Sequence, residues 1–544
     1  MNWPMPTASA DLRIAYFSAG RKTFRIDLLR GRRAAVASSV SRCGFEEDGA
    51  MTGNDAATCD VLVIGGGGAG LAAAIEAADH GARVTLVEKN PELGGTTAWS
   101  IGSFTATQTP HQLAAGIVDS PDEHFADMPK FAGKDADRDN PALRRMFVDN
   151  ANETLRWLMT HGVEFFGPMP EPPHAKPRMH NVLPNAKAYI HRLGRHARRI
   201  GVDIRPATRA TRFLVDGGRV TGAACETDGA GESEIGARAV VLASGDYAAC
   251  EELKARFISP EVARVDAMVP TATGDGHKMA FPLGAHVLNG DVLSGPTLRF
   301  VPPPRPSLDR LLPPSRWIGK AMRIALKYAP ARVLRPFVLR FTVTSMAPEL
   351  DLFAKGALLV NRNGGRIAGD PAALGLLIAE QPDKIGYVVM DASLARRFSA
   401  WPDFIATAPG VAYAYFDDFR RTRPDIFHEA DSLDALAAEL SMDADTLRQA
   451  VAAHNADAPV QLATPPFCAL GPAKSYIVLT DGGLAVNEAL QVLGEDDAPI
   501  PGLYAAGSAG QGGLMLKGHG HHIGWAFTSG RIAGRHATRE AKAE

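Results

Sequence analysis

Residues 61–70 read VLVIGGGGAG: four apolar residues that favour an extended chain, then five glycines within six positions. An alanine-rich stretch follows at 71–80, and 83–88 is a second apolar run. Few backbones accept this order. Strand, tight turn, helix and second strand do, which is the βαβ unit of a parallel sheet covered by helices on both faces. Within it Gly65, Gly67 and Gly70 keep the spacing GxGxxG, with Gly68 and Ala69 in the same turn. The first glycine serves the turn, the second lets backbone approach a pyrophosphate, and the third lets helix pack on strand. Glu88 ends the second strand where a carboxylate accepts hydrogen bonds from ribose hydroxyls, with Lys89 beside it. The unit predicts a bound dinucleotide.

The chain has 544 residues, 46% of them hydrophobic, enough to bury a large core in two or more domains. A formal net charge of -2 gives no global attraction to nucleic acid or to an anionic membrane, so any such partner needs a local patch. Cys43, Cys59, Cys225, Cys250 and Cys468 show no CxxC or CxxCH spacing. That points to a reduced, cytoplasmic protein without structural zinc, c-type haem or its own iron–sulfur cluster. No apolar run approaches the roughly 18 to 20 residues of a membrane span. Residues 1–50 carry more arginine and lysine than acid and lack a secretory h-region. They read as a disordered or extension arm, Met51 then being the natural start, or as an Arg-rich targeting or membrane-contact segment.

Further motifs follow in order: PELGGTTAWS at 91–100, AVVLASG at 239–245, PTATGDGHKMA at 270–280, LLVNRNGGR at 358–366, DGGLAV at 481–486 and IPGLYAAG at 500–507. Over 58–537 the chain resembles the fumarate reductase and succinate dehydrogenase flavoprotein superfamily, including the 3-ketosteroid delta-1-dehydrogenases. The resemblance implies an α/β fold. A Rossmann-like, glutathione-reductase-type FAD-binding domain is made of two sequence segments, with an α+β capping domain inserted between them. The expected divisions are an arm at 1–57, FAD-binding segments at 58–283 and 472–537, a cap at 284–471 and a tail at 538–544. Two amphipathic helices are expected at 431–455 in the cap. By the same resemblance FAD would meet Gly94, Gly95, Thr96, Thr97, Ser244, Gly245, Asp275, Gly507, His522 and Ile523. It would be held non-covalently, since the usual histidine after the GGT turn is not evident. Only one GxGxxG unit exists, so electrons must come from or go to an external acceptor or donor.

Residues 518–527, GHGHHIGWAF, stand where this family runs its last glycine-rich loop beside the flavin ring and opens a final helix, here expected at 523–536. His519, His521 and His522 also invite a metal reading, but no nearby carboxylate or cysteine completes a site, and none is expected. Spacing back from GRIAG puts Lys517 where fumarate reductases carry a substrate-binding arginine. Their proton-donating arginine is missing from DPAALGL at 370–376. The tyrosine of the ketosteroid enzymes falls at Leu516, while Gly520 keeps a backbone donor. His180, after Arg178, matches a substrate-facing histidine of fumarate reductases. The expected catalytic set is Lys517, His519, His521, Gly520 and His180, with His519 or His521 directed at substrate or flavin. Tyr247 reads as a packing residue; Asp275 and His277 read as organisers of a turn near the flavin.

The expected function is FAD-dependent dehydrogenation of a C–C bond next to a carbonyl, ketosteroid-like or in a smaller alicycle. Alternatives are an ene-reductase of an enone or unsaturated acid, and a flavoprotein subunit docked to an iron–sulfur partner. The segment 299–340 holds ten basic residues against one acid, interleaved with Trp317, Ile318, Met322, Ile324, Leu326 and Tyr328. Such an amphipathic basic helix suits peripheral contact with an anionic membrane, a cover over the active-site mouth, or a solvated face of the cap. Its aromatic interleaving is too thin for nucleic acid.

Overall fold

The computed structural model describes residues 57–227, 229–304, 311–330, 339, 343–344, 346–408 and 412–543. The basic arm expected before residue 57, and Arg305, Arg310, Arg332, Arg335 and Arg340 of the basic stretch, lie outside the described residues.

The glycine-rich stretch folds as its spacing predicts. Strand β1 (Ala57–Ile64) enters the turn, a helix runs Gly68–Asp79, and β2 (Val84–Val87) lies parallel to β1 with Val61 beside Val84. Val61, Leu62 and Val63 are wholly buried, as a strand covered on both faces must be. A small antiparallel sheet follows, with β3 (Ser103–Thr105), β4 (Glu164–Met169) and β5 (Met179–Leu183) in the order β3–β5–β4. Next, β6 (Asp203–Arg205) joins β2 in parallel. The meander β7 (Thr208–Asp216), β8 (Arg219–Thr227) and β9 (Gly231–Leu242) then returns the chain to the other side of β1. The strand Pro499–Ala505 pairs in parallel with β9, so distant segments share one sheet.

The helix His521–Ala543 packs along Gly68–Asp79. At Gly530 and Gly534 a Cβ would stand 2.3 and 2.4 Å from the backbone oxygens of Ala69 and Ala73, so only glycine allows this approach. Arg531 seals the pair from the side, its Nε 3.0 Å from the buried Glu76 carboxylate.

This core is built from 59–285 and 484–541, while a second one gathers 298–473 around a six-stranded sheet centred on Phe467–Ile477. The two helices expected at 431–455 are present as Leu433–Leu440 and Ala444–Asp457. Ser432 and Asp443 cap them, accepting from the N–H of Ala435 and Thr446.

Three boundaries differ from expectation. The division expected at 471/472 falls inside the strand Phe467–Ile477, and Asp266–Ala267 pairs with the end of that strand. The final helix begins at His521, not 523, because the left-handed Gly518 and Gly520 (φ +93° and +86°) complete the turn two residues earlier. The expected tail is helical as far as Ala543. No helix among the described residues is long and apolar enough to cross a membrane. Cys59, Cys225, Cys250 and Cys468 are free and buried.

Candidate active site

The glycine turn is built so that nothing larger fits. A Cβ at Gly65 (φ +111°) would meet the Ala243 carbonyl oxygen at 2.4 Å, and one at Gly70 would meet Gly65 O at 1.8 Å. The helix that follows has Gly67 as its N-cap, with no side chain to satisfy the first amides. Those N–H groups form a site for an anion. One is already used: Gly68 N donates to Thr97 Oγ1 at 3.1 Å. Gly94 and Gly95 (φ +152° and +50°) make the turn that delivers Thr96 and Thr97.

Glu88 is buried, taking the Gly66 N–H at 2.7 Å on Oε2 and the Asn90 N–H at 2.9 Å on Oε1. A cleft runs from Glu88, Lys89 and Arg209 past residues 65–69 to Thr96, Thr97, Ser244, Gly245 and Gly507. Lys89 and Arg209 both pair with Asp275, at 2.9 and 3.0 Å, along this cleft. Ser244 Oγ is buried beside it without a hydrogen-bond partner among the described residues. An unscreened helix N-terminus, an anchored acid and an orphan hydroxyl along one cleft fit a dinucleotide. Gly70 and Gly94 act from behind as packing and turn residues.

The three histidines of the final loop go separate ways. His519 Nδ1 lies 2.5 Å from Glu171 Oε1, and the His519 amide donates to the same oxygen at 2.8 Å. The side chain stays half-exposed, and the hydrogen bond it gives to Glu171 raises its pKa above the usual imidazole value. Burial works against the Glu171 charge, but the hydrogen bonds from His519 outweigh it and hold that carboxyl low.

His521 turns the other way. Its Nδ1 donates to Lys517 O at 2.5 Å and its Nε2 lies 3.1 Å from His124 Nε2. With His174 these form a buried trio of imidazoles, one nitrogen of each lying within 4.8 Å of the others. Burial and the neighbouring His174 push His521 down to about 3, so it is neutral. The expectation that His521 faces substrate is therefore corrected: it starts the final helix on the face packed against His124, Phe131 and Phe147. The three loop histidines do not converge on one ion. The histidines that meet are His124, His174 and His521.

His522 Nε2 lies 3.3 Å from Asp481 Oδ1, and burial lowers its pKa. Asp481 is the hub here. It has no exposure, and it takes Lys517 Nζ at 2.5 Å and Gln511 Nε2 at 3.1 Å as well. Lys517 also donates to Leu293 O at 3.2 Å. Ile523, buried in the next turn, belongs to the core.

Gly520 is held against β3: Thr105 Oγ1 donates to His519 O at 2.7 Å, and a Cβ at Gly520 would meet Thr105 Oγ1 at 2.6 Å. His180, on β5, is wholly buried and does not face an open cleft. Its Nε2 lies 2.9 Å from Thr109 Oγ1, its ring stands edge-on to His111, and burial takes its pKa down to about 3. The expectation of substrate contact through His180 is corrected to a packing role. Arg178 beside it is fully buried, gripping Asp119 through two bonds of 2.8 Å and also reaching Asp127. Tyr247 is a core residue as expected, donating to Gly290 O at 2.5 Å with its ring edge-on to His277.

Sequence reasoning missed the partners: Glu171, Asp481, His124 and His174. Asp481 alone carried a signal, standing in the DGGLAV motif.

A family profile described as "FAD binding domain" matches residues 60–305 and 318–516. An NADH:fumarate oxidoreductase of Klebsiella pneumoniae is 26% identical over 559 residues, covering 96% of this chain. The chain spans about half of that relative, 53% of its length. A KsdD-like steroid dehydrogenase of Mycobacterium tuberculosis is 26% identical over 566 residues, covering 91% of this chain and 98% of its own. Among solved structures, the open conformation of a flavocytochrome c3 fumarate reductase superposes with a TM-score of 0.66 at 24% identity, over 89% of this chain and 79% of the other. At that identity the likeness speaks for the fold.

Proposed function

Because the chain belongs to the FAD binding domain family, we propose that its final loop exchanges a hydride and a proton across a C–C bond next to a carbonyl or carboxylate. It is an FAD-dependent oxidoreductase related to fumarate, urocanate and acrylate reductases and to ketosteroid dehydrogenases. The cleft of Glu88, Thr97 and Gly507 would hold FAD non-covalently, and the flavin would supply hydride-transfer chemistry there.

The observation that carries the reading is the pairing of two charged devices on one short loop. Lys517 is fixed by Asp481 and His519 by Glu171, two residues apart in sequence. Lys517 is the cation that holds the substrate's carbonyl or carboxylate oxygen and steadies charge building there, with the Gly520 amide as a second donor. His519 exchanges the proton with the neighbouring carbon. Glu171 positions the imidazole and favours its protonated form, as a general acid requires.

That charge state favours the saturating direction, an ene-reductase of an enone or unsaturated acid drawing electrons from an external donor. Relatives whose names describe fumarate, urocanate and acrylate reduction support it. Dehydrogenation of a saturated cyclic ketone is the second reading, favoured by GGTTAWS at 94–100 and by the KsdD-like relative. A cytoplasmic location suits four buried free cysteines.

The test is anaerobic flavin absorbance in both directions. Chemically reduced protein is mixed with enones, fumarate and urocanate, and oxidised protein with saturated cyclic ketones and 3-ketosteroids. Rapid reoxidation by an unsaturated compound is expected. Bleaching by a saturated ketone alone would move the assignment to dehydrogenation, and silence in both arms would sink the C–C reading. Acid precipitation should release free FAD into the supernatant; a yellow pellet would overturn non-covalent binding.

A further inference from the structure

We propose that the helix Arg316–Tyr328 is an interfacial element that seats this protein on an anionic lipid surface. Its sequence, RWIGKAMRIALKY, contains four basic residues and no acid. One face is anchored: Gly319 is buried, and a Cβ there would stand 3.2 Å from both Glu164 Cβ on β4 and the Leu183 carbonyl oxygen on β5. Arg316 and Arg323 lean to that side, 3.3 and 3.8 Å from Glu164.

The opposite face is unlike an ordinary solvated surface. Trp317, Ile324 and Tyr328 are 78%, 58% and 71% exposed. Their spacings of seven and four residues put all three on one stripe of a helix, with the exposed Ala321 between them. Lys320 and Lys327 run along one side of the stripe and pair with no carboxylate among the described residues. Their ammonium groups lie 5.3 and 5.2 Å from the ring centres of Trp317 and Tyr328.

An apolar stripe with Trp and Tyr, bordered on one side by lysines that lie over its aromatic rings, is what the boundary between acyl chains and headgroups selects. Lysines with no carboxylate partner among the described residues specify the charge of the partner. The apolar row beside them specifies a partner that also accepts side chains into its interior, which a purely electrostatic acidic surface does not. A bilayer with anionic headgroups meets both conditions. Further basic residues on either side in sequence, Arg305, Arg310, Arg332 and Arg335, keep the same sign.

The measurement is co-sedimentation of the flavin-loaded full chain with vesicles of phosphatidylcholine alone and of phosphatidylcholine mixed with phosphatidylglycerol. Binding to the mixed vesicles is expected, falling roughly tenfold or more on plain phosphatidylcholine or when salt is raised well above physiological strength. The triple variant W317A/I324A/Y328A should lose binding with its flavin spectrum and melting temperature unchanged, since all three side chains lie outside the core. Lys320→Glu with Lys327→Glu should do the same through charge alone. Wild-type protein that stays in the supernatant with the mixed vesicles, or a triple variant that pellets as well as wild type, would overturn the proposal. Binding only to an acidic protein, with none to vesicles, would overturn it equally.

Discussion

Asp481 has no contact with water and holds three partners, Lys517, His522 and Gln511. Removing the cation strands the carboxylate in a dry site, at a cost on the order of 3 kcal/mol for a broken buried pair. Lys517→Met should therefore lower the urea midpoint of the flavin-loaded protein, and adding Asp481→Asn should recover most of it. Lys517→Arg should keep the midpoint and the bound flavin but reduce turnover, because a planar fork cannot sit where a point charge sat. Equal turnover in Lys517→Arg would remove Lys517 from substrate binding. At His519 the sign follows from its raised pKa: the protonated fraction, and with it the rate of the saturating half-reaction, falls as pH rises through that value. Glu171→Gln should bring the falling limb to lower pH and slow the step by about 10²-fold; stopped-flow flavin reoxidation across pH reads both. Lys517 and His519 are candidates the sequence could offer because each lies a short count from a recognisable motif. Their partners are not. Glu171 is 348 residues from His519 and Asp481 is 36 from Lys517, and no local pattern joins such pairs.

At the scale of elements, the turn at residues 65–70 is the most legible part of the chain, since its glycines answer to backbone contacts and not to side-chain choice. Gly70→Ala would press a methyl to 1.8 Å from Gly65 O. The helix must then lift off the strand, so FAD affinity should fall at least tenfold, read by titrating flavin into the apoprotein; unchanged affinity would show that the turn does not hold the cofactor. The start of the final helix was less legible. Apolar spacing points to Ile523, but the helix starts at His521 because two left-handed glycines precede it. This two-residue advance is what aims His521 into the imidazole trio. Periodicity reports which face is buried and not where the first turn closes.

On the scale of the whole molecule, the described residues form two main hydrophobic cores, one from 59–285 and 484–541 and one from 298–473. The cap sheet nevertheless takes Asp266–Ala267 from before the expected boundary. Burial of neutral histidines has a global effect. His521 and His180 titrate at about 3, and His174 and His277 at about 4. An unfolded chain protonates the same groups near 6.5, at about the free imidazole value. Between these values the unfolded state binds more protons, so stability is fully present above about pH 6.5 and declines as pH falls towards 4. Urea midpoints measured from pH 8 down to 4 should fall along that window, and His180→Phe should flatten the slope. A midpoint indifferent to pH would mean these imidazoles are not neutral in the fold.

The packing of His521–Ala543 along Gly68–Asp79, through Gly530 and Gly534, also sets an order of events during synthesis. While the ribosome is still translating the middle of the chain, the glycine turn has emerged without the helix that braces it, and the strand Pro499–Ala505 is missing from its sheet. Six of the eight strands of that sheet are then made, with β9 still lacking its late neighbour. Stable cofactor binding is therefore expected only once the final helix has been made.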